Sequence, residues 1–210
     1  MQLDFVRNYR SRRYIVRVRP DGSVRATVPA RGTLAEARAF VERNLDWINR
    51  QLQKQPPRQV WEDGTEILYR GKVVRLRVGR EVTFADQVVA VTADLRPTVE
   101  RHLWRLAKRE LSHRTLELAA QHSVAIQRIT VRNQRSRWGS CSRRGTISLN
   151  WRLIQTPAFV RDYIILHELM HRRQMNHSKL FWQEVAAVCP DYQTAEAWLK
   201  LHRHLNQSRQ

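Results

Sequence analysis

The sequence lacks long apolar runs and has few cysteines. No stretch approaches the roughly 18 apolar residues that cross a membrane, and the charged N-terminus has no apolar segment of the kind found in secretory signals. We therefore expect a cytoplasmic protein without a membrane partner. The two cysteines, Cys141 and Cys189, are too few for the disulfide framework common in secreted chains, so we expect both to be reduced thiols.

Acidic residues are also scarce. The chain has 38 Lys+Arg against 19 Asp+Glu, a formal net charge of +19. From Leu118 to Arg161 there is no acidic residue, whereas eight arginines fall inside that stretch. Such a field attracts polyanions, so the segment 128–161 is a candidate contact for DNA or another polyanion. A solvated basic face that binds nothing specific accounts equally well for the pattern.

The first part of the chain favours strands. Alternating apolar residues flank a turn predicted at Pro20-Asp21-Gly22, and similar alternation continues to about Asp94. Between them, Thr33 is expected to cap one helix from Leu34 to Lys54, which has an apolar stripe. These patterns predict a β-rich N-terminal region, residues 1–94, mostly antiparallel and with one helix.

Helices dominate the prediction for residues 95–210. Short β-like segments interrupt them after a long helix that runs from Pro97 to about His122. Two or three further helices are expected at the end: one capped by Thr156 with Pro157, one capped by Ser178 and reaching Val188, and one from Thr194 to Leu205. The whole chain is therefore predicted to be α+β, with a β-rich region followed by a second domain.

The stretch His167-Glu168-Leu169-Met170-His171 is an HExxH motif on a segment that is predicted to be helical. Four residues advance a helix by about 6 Å and slightly more than one turn, so both imidazoles project from one side and can bind one ion. Glu168 is rotated away from them by about 100° and can take a proton from water on the metal. The alternative is a pair of hydrogen-bonded core histidines.

A third ligand is needed for a catalytic zinc site with one open position. His177 is the candidate, since it lies beyond the helix and just after Asn176, a residue type that tolerates the left-handed conformation of a turn. We therefore predict one zinc ion per chain, bound by His167, His171 and His177, with Glu168 as the catalytic base.

Two segments, "SRWGSCSRRGTISLNWRL" and "ILHELMHRRQMNHSKLFW", resemble the YgjP-like zinc metallopeptidase family and, more distantly, the SprT and Spartan proteases that act on DNA-protein crosslinks. The resemblance implies a zincin-like α+β core in which the HExxH helix packs against a small sheet. The histidine spacing also equals that of the metzincins. However, Gln174 stands where they have glycine and no methionine follows Met175, so we reject that assignment.

The resemblance also implies substrate contacts. In zincins an edge strand beside the metal binds the substrate backbone by strand addition. We assign that role to the region of Arg137, Trp138, Gly139 and Ser140 or to "TISLNW", in which Asn150 is expected to orient the active-site helix. Tyr192 or Arg137 is a candidate to stabilise the oxyanion. Ordinary sheet packing and turn formation are equally good explanations for these residues.

Three functions therefore stay open. The first is a zinc-dependent peptidase that acts on a protein or peptide substrate. The second is a basic nucleic-acid-binding protein with a structural zinc, which requires a fourth ligand such as Cys141. The third combines them, as a DNA-recruited protease that cleaves DNA-bound proteins.

Overall fold

A computed structural model describes residues 2–19, 22–54, 60–90, 94–134, 136–203 and 205. Pro20 and Asp21 of the predicted turn lie outside the described residues. The described residues before residue 60 form one compact unit, and those from Val60 onward form a second. The α+β class is confirmed, since helices and several small sheets share the chain.

The first unit consists of one sheet and two helices. Its elements are β1 (Leu3–Asn8), β2 (Ile15–Val18), β3 (Val24–Pro29), α1 (Leu34–Arg43) and α2 (Leu45–Gln53). The strand order is β1-β3-β2, in which β2 is antiparallel to β3 and β1 is parallel to it. Buried apolar side chains from β3 and both helices form its core.

Thr33 caps α1 as predicted, in a reciprocal capping box with Glu36. The prediction of one helix from Leu34 to Lys54 was wrong, because the chain breaks at Asn44. The side-chain amide of Asn44 donates to the carbonyl of Phe40, 2.7 Å away. Asparagine side chains compete in this way with the helical hydrogen bonds of the backbone.

The second unit begins with short antiparallel strands. These are β4 (Glu66–Tyr69) paired with β5 (Lys72–Arg75), and the sheet of β6 (Arg77–Val78), β7 (Glu81–Phe84) and β8 (Gln87–Ala90). They are followed by the long helix α3 (Leu95–Gln121). The compact units divide before Val60, whereas the sequence analysis put the boundary after residue 94. The strands from β4 to β8 fall in the second unit because buried side chains of β4, β7 and β8 join those of α3 in one core.

The remaining elements surround the HExxH motif. They are β9 (Arg128–Arg132), β10 (Gly139–Cys141), β11 (Thr146–Asn150), a 3-10 helix (Trp151–Gln155), α4 (Ala158–Met170), α5 (Lys179–Val188) and α6 (Tyr192–Leu201). The strand order is β10-β11-β9, with β10 antiparallel and β9 parallel to β11. Helix α4 packs on β10 and β11, so the HExxH helix lies against a small sheet.

The predicted caps have different outcomes. Ser178 caps α5 through the backbone N–H of Phe181. Thr156, in contrast, does not cap α4, because its hydroxyl donates to the carbonyl of Leu153 in the 3-10 helix and Pro157 takes the cap position.

Among the described residues, no helix is both long and apolar enough to cross a membrane. The cytoplasmic location stays a prediction.

Candidate metal centre

Two histidines project from the end of α4. His167 lies in the last turn of the helix and His171 is its C-cap, with a hydrogen bond of 3.3 Å from the N–H of His171 to the carbonyl of His167. Their ring centroids are 5.0 Å apart. The helical spacing of four residues therefore brings the two imidazoles together, as the sequence predicts.

His177 joins them from the segment between α4 and α5. Its Nε2 lies 3.1 Å from Nε2 of His167. One nitrogen from each of His167, His171 and His177 lies within 4.8 Å of the other two. In the described part of the chain, these three side chains form a group that could bind one metal ion. The three predicted ligands are thus adjacent, while Cys141 is not part of the group.

The turn that brings His177 back differs from the prediction. Asn176 is not among the described residues with positive φ, so the expected left-handed conformation was wrong. Instead, the N–H groups of Arg172, Arg173 and Gln174 donate to carbonyls of the last turn of α4. The carbonyl of Gln174 in turn lies 3.0 Å from Nδ1 of His171, so the ring itself helps to fix the turn.

The electrostatic environment favours neutral imidazoles. Burial, with smaller contributions from His171 and His177, lowers the pKa of His167 to about 3. Burial also lowers the pKa of His171, although the bond to Gln174 opposes this effect. A neutral imidazole with Nδ1–H bonded to a carbonyl has its Nε2 lone pair free for a metal, and His171 has this arrangement. Nδ1 of His167 is buried and has no hydrogen-bond partner among the described residues.

Phe181 forms the floor of the histidine cluster, and the sequence reasoning missed it. Its side chain is fully buried, and its ring centroid lies 4.8 Å from His167, 4.4 Å from His171 and 4.9 Å from His177. The cap at Ser178 was the available sequence signal, since it begins a helix whose third residue is Phe181.

Trp182 and Tyr192 line one side of the cluster. The ring of Trp182 lies 5.8 Å from His167 and 6.0 Å from His177. Tyr192 is stacked between Trp182, at 5.4 Å, and Tyr163, at 6.2 Å. Tyr192 therefore belongs to the surroundings of the histidines, through a partly buried ring.

Glu168 is buried against β10. Its side chain is 6% exposed, and burial raises the pKa of its carboxyl group to about 8, an effect that Arg137 opposes. A Cβ atom on Gly139 would lie 2.6 Å from Oε1 of Glu168. Only glycine permits this close approach of strand and carboxylate.

Strand β10 is an edge strand next to Glu168. Its partner is β11 on one side, and the N–H of Asn150 bonds to the carbonyl of Trp138 while that of Ser142 bonds to Thr146. Because bonding alternates along an antiparallel ladder, the backbone groups of Gly139 and Cys141 point to the open edge. Ser140 pairs with Ser148, so its backbone N–H and C=O groups point toward β11.

Asn150 is fully buried and holds the loop before β10. Its Nδ2 donates to the carbonyls of Gln134, at 2.8 Å, and Arg137, at 3.2 Å, while its Oδ1 accepts from the N–H of Arg152. Arg137 itself is exposed, and Trp138 is partly buried against the main core. Four of the predicted contact residues, from Arg137 to Ser140, thus form one segment that Asn150 fixes.

Arg172 joins α4 to the β10–β11 hairpin. It directly follows His171, and its guanidinium donates to the carbonyl of Ala125, at 3.2 Å, and to that of Arg143, at 2.8 Å. Arg143 lies in the turn between β10 and β11. One side chain therefore connects the end of the HExxH helix to the hairpin that carries the open edge.

Comparisons with known proteins place this geometry in context. The sequence model of a family described as "YgjP-like, metallopeptidase domain" matches residues 12–202. Among solved structures, the chain is similar to the metallopeptidase zymogen of Pyrococcus abyssi abylysin, with 22% identity and a TM-score of 0.35, over 49% of this chain and 94% of that one. No curated protein matches the chain.

Proposed function

Since the chain belongs to the YgjP-like metallopeptidase family, we propose that it hydrolyses peptide bonds with one zinc ion bound by His167, His171 and His177. The observation that carries the proposal is the meeting of three imidazole nitrogens within 4.8 Å of one another beside a buried glutamate. Three protein ligands with one open position are typical of catalytic zinc, whereas structural sites have four.

The donor set fits zinc in chemistry and in spacing. Neutral imidazoles are common zinc ligands, and the lowered pKa values of His167 and His171 keep both rings neutral. Two nitrogens that bind one tetrahedral zinc at its usual bond length lie about 3.3 Å apart. The separation of 3.1 Å between Nε2 of His167 and Nε2 of His177 is close to that value.

Glu168 is the proposed general base. A zinc ion held by the histidines would act as a Lewis acid and lower the pKa of a bound water to about 7. The Glu168 carboxylate, confined between α4 and β10, accepts a proton from the attacking water and later transfers it to the leaving amine. Burial favours this second role, because it stabilises the protonated carboxyl group.

The open edge of β10 is the proposed binding site for the substrate backbone. The N–H and C=O groups of Gly139 and Cys141 that point to this edge would pair with an extended peptide and bring its scissile bond near Glu168. Trp138 directly precedes β10 and Ser140 lies within it, and the Asn150 amide holds this segment through the carbonyl of Arg137. Stabilisation of the oxyanion is assigned to Tyr192 or Arg137, in addition to the metal.

The test is the substitution Glu168→Gln with zinc content measured in parallel. General acid-base catalysis contributes about 10²–10⁴-fold, so cleavage of an unfolded protein substrate is expected to fall by that factor. The variant retains about one zinc per chain, because the glutamate is not a ligand. The matched variant His177→Ala loses zinc as well as cleavage. Cleavage by Glu168→Gln at the rate of the parent would refute the mechanism.

A second candidate function is recruitment to DNA or another polyanion, followed by cleavage of proteins bound there. It is favoured by Arg128, Arg132, Arg143 and Arg144, which are exposed and have no ion-pair partner among the described residues. Replacing all four with glutamine is expected to weaken DNA binding and to reduce its salt dependence. Cleavage of a DNA-binding substrate that DNA does not stimulate, together with no salt-sensitive DNA binding, would eliminate this function.

A further inference from the structure

His177 has a different support from the other two histidines. His167 and His171 are fixed by the backbone of α4, whereas His177 is exposed and lies in a segment of irregular structure between α4 and α5. A metal site needs its ligands held in position before the ion arrives, or the cost of ordering them lowers the affinity. Side chains packed on His177 therefore bear on the affinity for the metal.

Aromatic rings connect His177 back to α4 in a closed cycle. Trp182 packs on His177 at 6.0 Å with an interplanar angle of 32°, and Tyr192 stacks on Trp182 at 5.4 Å and 25°. Tyr163 stacks on Tyr192 at 6.2 Å and 21°, and contacts His167 edge to face at 5.8 Å. His167 completes the cycle, since its ring lies 5.2 Å from that of His177.

The far end of the cycle is anchored. Tyr163 is 3% exposed and donates a hydrogen bond of 3.0 Å to Glu196 of α6. It also lies one helical turn before His167 on the same helix, so it moves with that ligand. The rings of Tyr192 and Trp182 fill the distance between this fixed point and His177. The centroid distance of each contact falls within the range of about 4.5–7 Å that aromatic pairs prefer.

We propose that Trp182 and Tyr192 are positioning residues that hold His177 as the third metal ligand, and that Tyr192 acts through its ring. This inference rests on the proposed zinc site. It differs from the assignment of Tyr192 to the oxyanion, which requires the hydroxyl group. The two roles are separable, because phenylalanine retains the ring and lacks the hydroxyl.

The experiment measures zinc affinity of the metal-free protein by competition with a chromophoric chelator. The variants Trp182→Leu and Tyr192→Leu keep an apolar side chain and remove the stacked ring. Loss of groups that orient a ligand typically weakens metal binding by 10–100-fold, so we expect the zinc Kd to rise by at least about tenfold in both. The conservative variants Trp182→Phe and Tyr192→Phe are expected to restore the affinity of the parent.

A matched control separates positioning from general stability. Trp198 is a partly buried aromatic residue of α6 that packs on the same core and stacks on His202, outside the cycle. Trp198→Leu should lower the Tm of the metal-free protein without changing its zinc Kd. Leucine variants at 182 and 192 that bind zinc as tightly as the parent would overturn the positioning role alone. A parent protein that binds no zinc would overturn the proposed function as well.

Discussion

Gly139 and Glu168 are in direct contact, at a distance that no other residue at position 139 would allow. A Cβ at position 139 would lie 2.6 Å from both Cγ and Oε1 of Glu168 and 2.9 Å from Cδ. Carbon atoms in contact are normally about 3.5–4.0 Å apart. The strand thus fixes where the carboxylate lies.

Gly139→Ala is expected to displace the Glu168 carboxylate and to reduce peptide cleavage. A misplacement of about 1 Å at a reacting group can lower the rate by about 100-fold, and we expect a loss of that order in kcat. Zinc content should stay at the level of the parent, since the three atoms nearest to the new methyl group all belong to Glu168, which is not a proposed ligand. The assay is cleavage of an unfolded protein, with metal analysis of the same sample.

Gly79→Ala is the matched control for this experiment. A Cβ on Gly79 has its nearest neighbour at 3.8 Å, and its φ is not positive. Its activity and zinc content should equal those of the parent. If Gly139→Ala were as active as Gly79→Ala, the carboxylate would have room to move and the contact would have no catalytic importance.

Phe181→Ala is expected to destabilise the metal-free protein by about 3–5 kcal/mol, the usual cost of removing a buried phenylalanine. Its ring is fully buried and contacts all three histidines, so zinc affinity should also fall. Urea unfolding of the metal-free protein and chelator competition give the two values.

Phe159→Ala serves as the comparison, because Phe159 lies on the HExxH helix and is 48% exposed. It should change the free energy of unfolding far less than Phe181→Ala does. Equal losses from the two substitutions would contradict the description of Phe181 as the floor of the cluster.

Asn150→Ala is expected to loosen the segment before β10. The substitution removes the amide group that donates to the carbonyls of Gln134 and Arg137, and each lost hydrogen bond costs about 0.5–1.5 kcal/mol. Amide hydrogen exchange should accelerate in residues 136–140. Asn8→Ala, an exposed position in the first unit, should leave that exchange unchanged. Unaltered exchange in Asn150→Ala would show that other contacts hold the segment.

The first unit is expected to lose stability in acid through Glu36. The hydrogen bond from Tyr14, followed by bonds from Thr33, lowers the pKa of Glu36 from 4.5 to about 2. Because the pKa is lower in the folded state, this stabilisation is present above about pH 4.5 and is lost as the pH falls toward 2. Tyr14→Phe should therefore be less stable than the parent at neutral pH, and the difference should shrink over that range.

Urea unfolding midpoints at several pH values check this expectation. Tyr9→Phe is the control, since Tyr9 is 78% exposed. A difference between Tyr14→Phe and the parent that stays constant from neutral pH to pH 2 would contradict the linkage to Glu36.

Features that depend on neighbouring residues could be predicted from the sequence. The caps at Thr33 and Ser178 and the pairing of His167 with His171 follow from spacing within one helical turn. His177 was found because it lies only six residues beyond His171. The failure at Thr156 has a local cause too, since its hydroxyl bonds backward to Leu153 and ends the preceding 3-10 helix.

Features that depend on distant residues could not be predicted. The parallel pairing of β9 with β11 and the aromatic cycle both join segments that only the tertiary fold brings together. Gly139 was predicted as a substrate contact, but its own contact with Glu168 depends on how closely β10 approaches α4. The predicted cap at Ser178 places Phe181 in a helix, but no pattern in the sequence shows that its ring contacts the three histidines.

The two carbonyls that bind Arg172 change the interpretation of the excess of basic residues in this chain. Its guanidinium is engaged within the protein, and so are those of Arg114, with Asp162, and Arg173, with Glu184 and the carbonyl of His122. Arginine suits such use, because its planar group offers several donors in fixed directions. The formal charge of +19 therefore includes arginines that hydrogen-bond within the protein. Only the remaining exposed cations are available to a polyanion.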